Sequence, residues 1–375
     1  MRSKIKILFL ILQMKAGGSE KLVLDIISEL DRTIFSPSIA WFKDFDLIDK
    51  FRNLNIPMYY ISKNRRVDLL AMYNLSKIIK ENNIRLVNVH HFMPLVYSYF
   101  GCKIANKIKV VYTEHSIWEV EQRSFKWNII GGYLLRNTDA IIGVSKRISD
   151  HMGKVYKLYN NKIHTVPNGV IFNYSFERTE CKYFSNIPKN HFKICMVANF
   201  RNNKNHIFLL KSFNELCKVR NNVHLVLIGQ GFKEDAENSE NEVKALIAKL
   251  RLNRNVSLLG YRDNVQELLC NMDIACLTSK KEGLPISLIE AMAARLPVVG
   301  TKVEGIEDVI LDNYNGYLVS MGDVKGFSNA LDSLITDEKR RKIFGNRSNE
   351  IARKLYSMEK CVEKYQNIFL SLVDG

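Results

Sequence analysis

Ser279-Lys-Lys-Glu-Gly-Leu-Pro-Ile-Ser-Leu-Ile-Glu-Ala-Met-Ala-Ala-Arg-Leu-Pro-Val-Val-Gly-Thr301 carries two carboxylates that bracket a turn. Met272 to Thr278 before it reads as a short buried strand, and Ile286 to Ala294 after it is too continuously apolar for a solvated helix. The order is therefore strand, loop, helix. Gly283 frees the backbone for a tight approach, and Pro285 suits a first helical position, where a missing N–H costs nothing. The helix start aims its free amides and positive dipole end out of the loop, which suits a phosphate or a developing oxyanion. Glu282 stands at the mouth of that site. Glu290 lies one turn inside the helix among Leu288, Ile289, Ala291 and Met292, where a carboxylate needs a partner. Taken singly, a Glu in an early helical turn is often a dipole partner, and a Glu after two lysines is usually a solvated charge.

Taken together, the spacing Glu282-x7-Glu290, with Gly-Leu-Pro after the first carboxylate and Glu-Ala-Met-Ala at the second, resembles the signature of the retaining glycosyltransferases of family 4, which have the GT-B fold. The resemblance implies that Glu282 and the residues behind it (Gly283, Leu284, Pro285, Ile286) meet the donor sugar and its phosphates. It also implies that Glu290 binds the ribose hydroxyls of a nucleotide sugar.

The chain has 375 residues, long for one core, so two domains are expected. A hydrophobic content of 46% and a charged content of 25% exclude a disordered or fibrous chain. Its 7 cysteines form no C-x-x-C pair, which argues for reduced thiols in a cytoplasmic protein, not for a disulfide framework or a zinc site. The basic, apolar start from Met1 to Leu12 imitates a signal peptide, but Gln13 and Lys15 end the run and a first parallel strand explains it better. No apolar run approaches spanning length. Net charge is +16; residues 1–170 hold 26 Lys+Arg against 14 Asp+Glu, while the rest hold 29 against 25. An excess of +12 in one half suggests an anionic partner surface, lipid or nucleic acid.

After the first strand, Lys15-Ala-Gly-Gly-Ser-Glu20 and the apolar positions Leu22, Ile26, Ile27 and Leu30 read as a glycine turn opening a helix, as in a Rossmann-like unit. Gly17 and Gly18 match the family's glycine pair, which the resemblance places near donor and acceptor. Asp44-Phe-Asp46 is formally a D-x-D metal pattern, though two acids in a short polar loop are ordinary surface. Arg85 to His90 reads as a strand, so His90 and His91 stand at a strand's C-terminal end, where open α/β sheets place ligands. A second strand, Val110 to Thr113, ends at Glu114-His115. Thr113-Glu-His-Ser116 resembles the family's Thr-x-His segment, whose His reaches the transferred sugar, so His115 is preferred to His90 and His91. From Lys103 to Arg136, Lys103, Lys107, Lys109, Arg123, Lys126 and Arg136 are interleaved with Phe125, Trp127, Ile129, Ile130, Tyr133, Leu134 and Leu135. Such a stretch suits a membrane interface; the alternative is a core-packed helix with a solvated face.

The second domain starts afresh. Its strand Lys193 to Ala198 runs into a basic loop, Asn199 to His206, able to neutralise a diphosphate. The loop resembles the family's Arg-x4-Lys clamp: Lys204 matches, Asn199 stands where Arg is usual, and Arg201 would substitute from a shifted position. Two further strand-to-glycine turns, Val223 to Gly231 and Val256 to Arg262, bring Gly229 and Tyr261 to the nucleotide by the same resemblance. The last helix keeps Met358, Val362, Tyr365, Phe369 and Leu372 on one face.

The expected class is α/β, a GT-B fold of two Rossmann-like domains whose parallel sheets face a central cleft. Residues 1–170 form the acceptor-binding domain, 171–192 a linker, 193–356 the nucleotide-sugar-binding domain, and 357–375 a helix crossing back to the first domain. The expected activity is retaining, hexosyl-type transfer from a nucleoside diphosphate sugar to an acceptor hydroxyl, in bacterial-type surface polysaccharide or glycolipid assembly. Catalytic positions are His115 and Glu282. No metal and no cofactor beyond the donor are expected. Partners are the nucleotide sugar, a glycan or lipid-linked acceptor and an anionic membrane, with no nucleic acid, since no such binding motif is present. The expected location is cytoplasmic, peripheral on the inner face of the plasma membrane. A nucleotide-sugar epimerase of the same architecture and a non-catalytic sugar-nucleotide-binding subunit remain as alternatives.

Overall fold

A computed structural model describes residues 4–15, 17–44, 46–65, 67–105, 108–121, 123–172 and 182–374. Lys107, Cys181 and linker positions 173–181 lie outside the described residues. The chain divides into two compact units, residues 1–171 with 358–375 and residues 172–357.

In the first unit the strands are β1 (Ile5–Leu10), β2 (Phe35–Trp41), β3 (Met58–Tyr60), β4 (Leu86–His90), β5 (Lys109–Glu114), β6 (Ala140–Gly143) and β7 (Ile163–Thr165). They form one sheet in the order β3-β2-β1-β4-β5-β6-β7, all parallel, with Ile7 opposite Pro37 on one side and Leu86 on the other. The run Ile7-Leu8-Phe9-Leu10 is fully buried, which is why β1 reads as an unbroken apolar run: helices cover both faces of a parallel sheet. Ile5–Leu10 of the basic, apolar start is thus an interior strand of this sheet.

The last helix, Met358–Asp374, belongs to this unit. Phe369 packs edge-on to Phe9 and Phe35, with centroids 6.3 and 6.2 Å away, and Tyr365 is fully buried. The Asp31 N–H donates to Gln366 Oε1 at 2.8 Å, and the Met358 N–H donates to the Val170 carbonyl at 3.0 Å. Of the apolar stripe read from sequence, Met358, Val362, Tyr365 and Phe369 are buried and Leu372 is half-buried.

In the second unit the strands are β8 (Phe192–Val197), β9 (Val223–Ile228), β10 (Val256–Gly260), β11 (Ile274–Leu277), β12 (Val298–Thr301) and β13 (Gly316–Val319). Their order is β10-β9-β8-β11-β12-β13, again parallel. The chain leaves β8 toward β9 and β10, then returns to β8's other side at β11. Strand order reverses there, as it does between β1 and β4 in the first unit, and such switch points open a crevice at the carboxyl ends of the strands. From Lys182 the stretch read as linker is packed on this unit: Ile187 is buried, and the Arg262 guanidinium lies 4.4 Å from the Tyr183 ring centre.

One local expectation is corrected. The helix Ile286–Ala293 begins after Pro285, which is its N-cap in extended conformation and not its first helical residue. The Pro285 carbonyl accepts from Leu288 and Ile289, so the helical hydrogen bonding starts at the proline's oxygen. No helix among the described residues is long and apolar enough to cross a membrane.

Candidate active site

The second unit's switch point brings two loops together. Lys204 Nζ donates to Glu282 Oε1 at 2.6 Å, and Ser279 Oγ donates to the same oxygen at 2.5 Å. The loops are tied beneath this contact. The Lys280 N–H donates to the Asn203 carbonyl, Asn203 Nδ2 to the Lys281 carbonyl, and Thr278 Oγ1 to the Lys204 carbonyl, at 2.8, 3.0 and 3.1 Å. With the Lys204 side chain 25% exposed and Glu282 10% exposed, the pair is shielded but reachable. Behind it, Gly305 is at φ +79, and a Cβ there would fall 2.5 Å from the Glu282 carbonyl oxygen, so only glycine permits this approach. Neither Ser279 nor Gly305 was expected at the site; Ser279 was legible only as a polar residue three positions before a carboxylate.

The remaining positions expected in this unit line the same sheet edge. Asn199 Oδ1 accepts from the Gln230 N–H at 3.4 Å, joining the loops after β8 and β9. Gly229, at φ +149, passes so close to Ala198 that a Cβ would lie 2.1 Å from its carbonyl oxygen. The Gly229 N–H donates to the Gly260 carbonyl at 3.0 Å, one residue before Tyr261. Gly283, Leu284 and Pro285 continue the loop into the helix that holds Ile286 and buried Glu290. Arg201 is placed differently from Lys204. Its Nε lies 2.9 Å from Asp235 Oδ2 as an ion pair off the hydrogen-bond direction, and Nη2 lies 3.7 Å from Glu237 Oε2.

The first unit's switch point gathers histidines. Gly17 caps the helix Gly18–Glu29, whose Ser19 Oγ lies 3.0 Å from His91 Nε2. His90 is fully buried; its Nδ1 lies 2.9 Å from His115 Nε2 and its Nε2 2.9 Å from Asn88 Oδ1. The His91 and His115 rings are 4.9 Å apart. Burial, then His115 and His91 nearby, hold His90 well below the usual imidazole range; burial and His91 do the same to His115. His90 and His115 are therefore neutral near pH 7. His115 is anchored from behind by Glu114, whose Oε1 accepts the backbone N–H groups of His115 and Ser116 at 3.0 and 3.3 Å.

Glu114 also overturns one sequence expectation. Arg123, read as part of a membrane-facing basic stretch, has a side chain 6% exposed and donates to fully buried Glu114 Oε2 at 2.7 Å. In the D-x-D segment, Asp44 Oδ1 accepts the Trp41 indole N–H at 2.5 Å.

Residues 16–173 match the family model described as Glycosyltransferase Family 4, and residues 177–351 match that described as Glycosyl transferases group 1. The chain is 26% identical to the N-acetyl-alpha-D-glucosaminyl L-malate synthase of Bacillus anthracis over 328 residues, 86% of this chain and 84% of the relative. It is 22% identical to the Escherichia coli UDP-Gal:alpha-D-GlcNAc-diphosphoundecaprenol alpha-1,3-galactosyltransferase over 342 residues, 87% and 86% of the two chains. The fold superposes on Anabaena Alr3699/HepE in complex with UDP-glucose with a TM-score of 0.86 and 20% identity, over 98% of this chain and 99% of that one.

Proposed function

The chain belongs to glycosyltransferase family 4, and we propose that it moves a sugar from a nucleoside diphosphate sugar to an acceptor hydroxyl with retention of configuration. The observation that carries this reading is the Lys204–Glu282–Ser279 contact at the second switch point, with buried Glu290 eight residues beyond Glu282. A cation there stabilises the diphosphate that leaves as oxocarbenium character develops. Lys204 and the first-turn amides of Ile286–Ala293 supply that charge from the chain itself, so the reading includes no metal. In the second unit Glu290 holds the ribose hydroxyls, Gly229 and Tyr261 line the nucleotide and Glu282 meets the sugar; in the first unit His115 contacts a sugar hydroxyl.

The test is release of nucleoside diphosphate from a panel of nucleotide sugars, with and without a lipid-linked acceptor. Release should require acceptor, and the anomeric coupling of the product should match that of the donor. Release indifferent to acceptor, or free interconversion of the sugar, would replace transfer by hydrolysis or epimerisation. Within the same assay, Glu290→Gln is expected to weaken donor binding about tenfold, because a neutral amide loses charge-assisted bonds to hydroxyls. Unchanged affinity would remove Glu290 from the site.

The reading extends to a lipid-linked acceptor at an anionic, cytoplasm-facing bilayer, in surface polysaccharide or glycolipid assembly. What supports it is the helix Phe125–Arg136, which leaves Phe125, Ile129, Ile130 and Tyr133 exposed beside exposed Lys126. Phe100 and Ile104 are exposed on the helix Phe92–Ala105 that packs against it. Each basic side chain near an anionic surface contributes about 1 kcal/mol, and the apolar side chains add burial. The full chain should therefore co-sediment with anionic vesicles more than with neutral ones, less so at high salt. Phe125→Ser with Lys126→Glu should abolish the difference; a variant that keeps the wild-type preference would move the contact off this helix, and a wild-type chain with no preference for anionic vesicles would assign the acceptor to bulk solvent.

A further inference from the structure

The buried polar chain behind His115 has a direction that a single backbone atom determines. Asn88 is fully buried, and one arm of its amide faces the Val111 carbonyl at 3.3 Å and Thr113 Oγ1 at 3.3 Å. A backbone carbonyl only accepts, so that arm is the NH2 group and the other is the oxygen. Asn88 Oδ1 then faces His90 Nε2 as an acceptor, which requires the proton on His90 Nε2. A neutral His90 with its proton there has a bare Nδ1. That atom lies 2.9 Å from His115 Nε2, which must in turn be the donor.

We propose that Asn88 and His90 are positioning residues that lock His115 as its neutral Nε2–H tautomer and leave Nδ1 as a lone-pair acceptor for a sugar hydroxyl. His115 is partly exposed, and its Nδ1 makes no hydrogen bond with any described residue. Burial keeps His90 from becoming an imidazolium, which would donate from both nitrogens and reverse the relay. The neighbouring carboxylate does not compete for the ring, because Glu114 Oε1 is taken by the backbone amides of His115 and Ser116 and Oε2 by Tyr112 and Arg123. The Phe9 ring, stacked 6.5 Å from His90, closes another side without offering a polar atom. A bare nitrogen accepts from a hydroxyl and repels a carbonyl or carboxylate oxygen, so the ring selects a substrate group that brings its own proton.

This rests on the transferase reading only for the identity of the sugar; the tautomer itself does not. The first measurement is a long-range proton–nitrogen correlation spectrum of the full chain labelled with 15N-histidine, with the His115 signals among the 8 histidines identified by loss in His115→Gln. The expected pattern is a protonated Nε2 and a bare Nδ1 at His115; a protonated Nδ1 overturns the proposal whether or not the chain transfers sugar. The second is His90→Leu against His90→Asn. Leu removes the acceptor facing His115 Nε2, and the expected result is a mixed tautomer and about a tenfold lower kcat/KM, the effect of one misdirected buried hydrogen bond. Asn returns an amide oxygen to that position and should restore the Nε2–H pattern and most of the activity. Equal loss in both variants, with His115 unchanged in its spectrum, would mean that His90 only fills space. A wild-type chain with the expected spectrum and no transfer activity would count against the transferase reading and leave the tautomer lock standing.

Discussion

Lys204→Ala is expected to lower the single-turnover rate by about a hundredfold to a thousandfold, the loss typical of removing one preorganised charge from a developing anion. In the resting site this ammonium is held by Glu282 at 2.6 Å, with its side chain 25% exposed, so it is oriented before a donor arrives. Its backbone is fixed independently: the Lys204 N–H donates to the Arg201 carbonyl, and the Lys204 carbonyl accepts from Thr278 Oγ1, at 2.8 and 3.1 Å. Truncating the side chain therefore leaves the loop in place, and the melting temperature should barely move. Arg201→Ala is expected to cost much less, because Arg201 is 43% exposed and turned toward Asp235 and Glu237. Rates for the two variants, measured with donor and acceptor in excess over enzyme, separate the roles. An equal or larger loss from Arg201 would show that it swings from its acidic partners onto the diphosphate and that Asn199 marks a rebuilt clamp.

How far the sequence revealed this arrangement depended on how local each signal was. The strand-turn-helix units were legible because each is written in consecutive residues, as in Met272 to Ala294. The pairing of β8 with β11 was not, since the two strands are linked through β9 and β10 and no residue pattern states which strands become neighbours. That non-local step is what sets Lys204 against Glu282, and the family resemblance, not periodicity, pointed to both. Pro285 shows the usual error at element ends, where a cap and a first turn differ by one residue. Asn88 offered a readable signal, a polar residue inside the apolar strand Leu86-Val-Asn-Val-His90, which a buried strand tolerates only with partners. Arg123 offered none in its own neighbourhood. Among Lys and Arg residues in an aromatic stretch it looked like one more surface cation, and only the demand of Glu114, at the end of a strand buried from Val110 onward, told otherwise.

That demand makes Arg123→Met the most destabilising exchange expected in the first unit, at about 3–5 kcal/mol, the scale for breaking a buried ion pair by removing one partner. Glu114 is fully buried, and without the guanidinium it keeps the Tyr112 hydroxyl at 2.6 Å and two backbone amides but no counter-charge. The arginine's other arm, which donates to Tyr156 Oη at 2.9 Å, and its cation–π contact 4.1 Å from the Phe92 ring centre are lost with it. Burial works against the Arg123 charge, yet Tyr112, Glu114 and Tyr156 around it raise its pKa above the ordinary guanidinium value, so the guanidinium stays charged at every working pH. All 3 tryptophans, Trp41, Trp118 and Trp127, lie in the first unit, so urea unfolding followed by their fluorescence reads that unit directly. Arg123→Lys should recover little, because one ammonium cannot reach Glu114, Tyr112 and Tyr156 together. Arg123→Met combined with Glu114→Gln should be less damaging than Arg123→Met alone, since the stranded charge goes with its partner. A single-variant loss below about 1 kcal/mol, or a double variant worse than the sum of the two singles, would show that the carboxylate is neutralised or hydrated without its arginine. His115 would then owe its place to the strand end and not to the ion pair behind it.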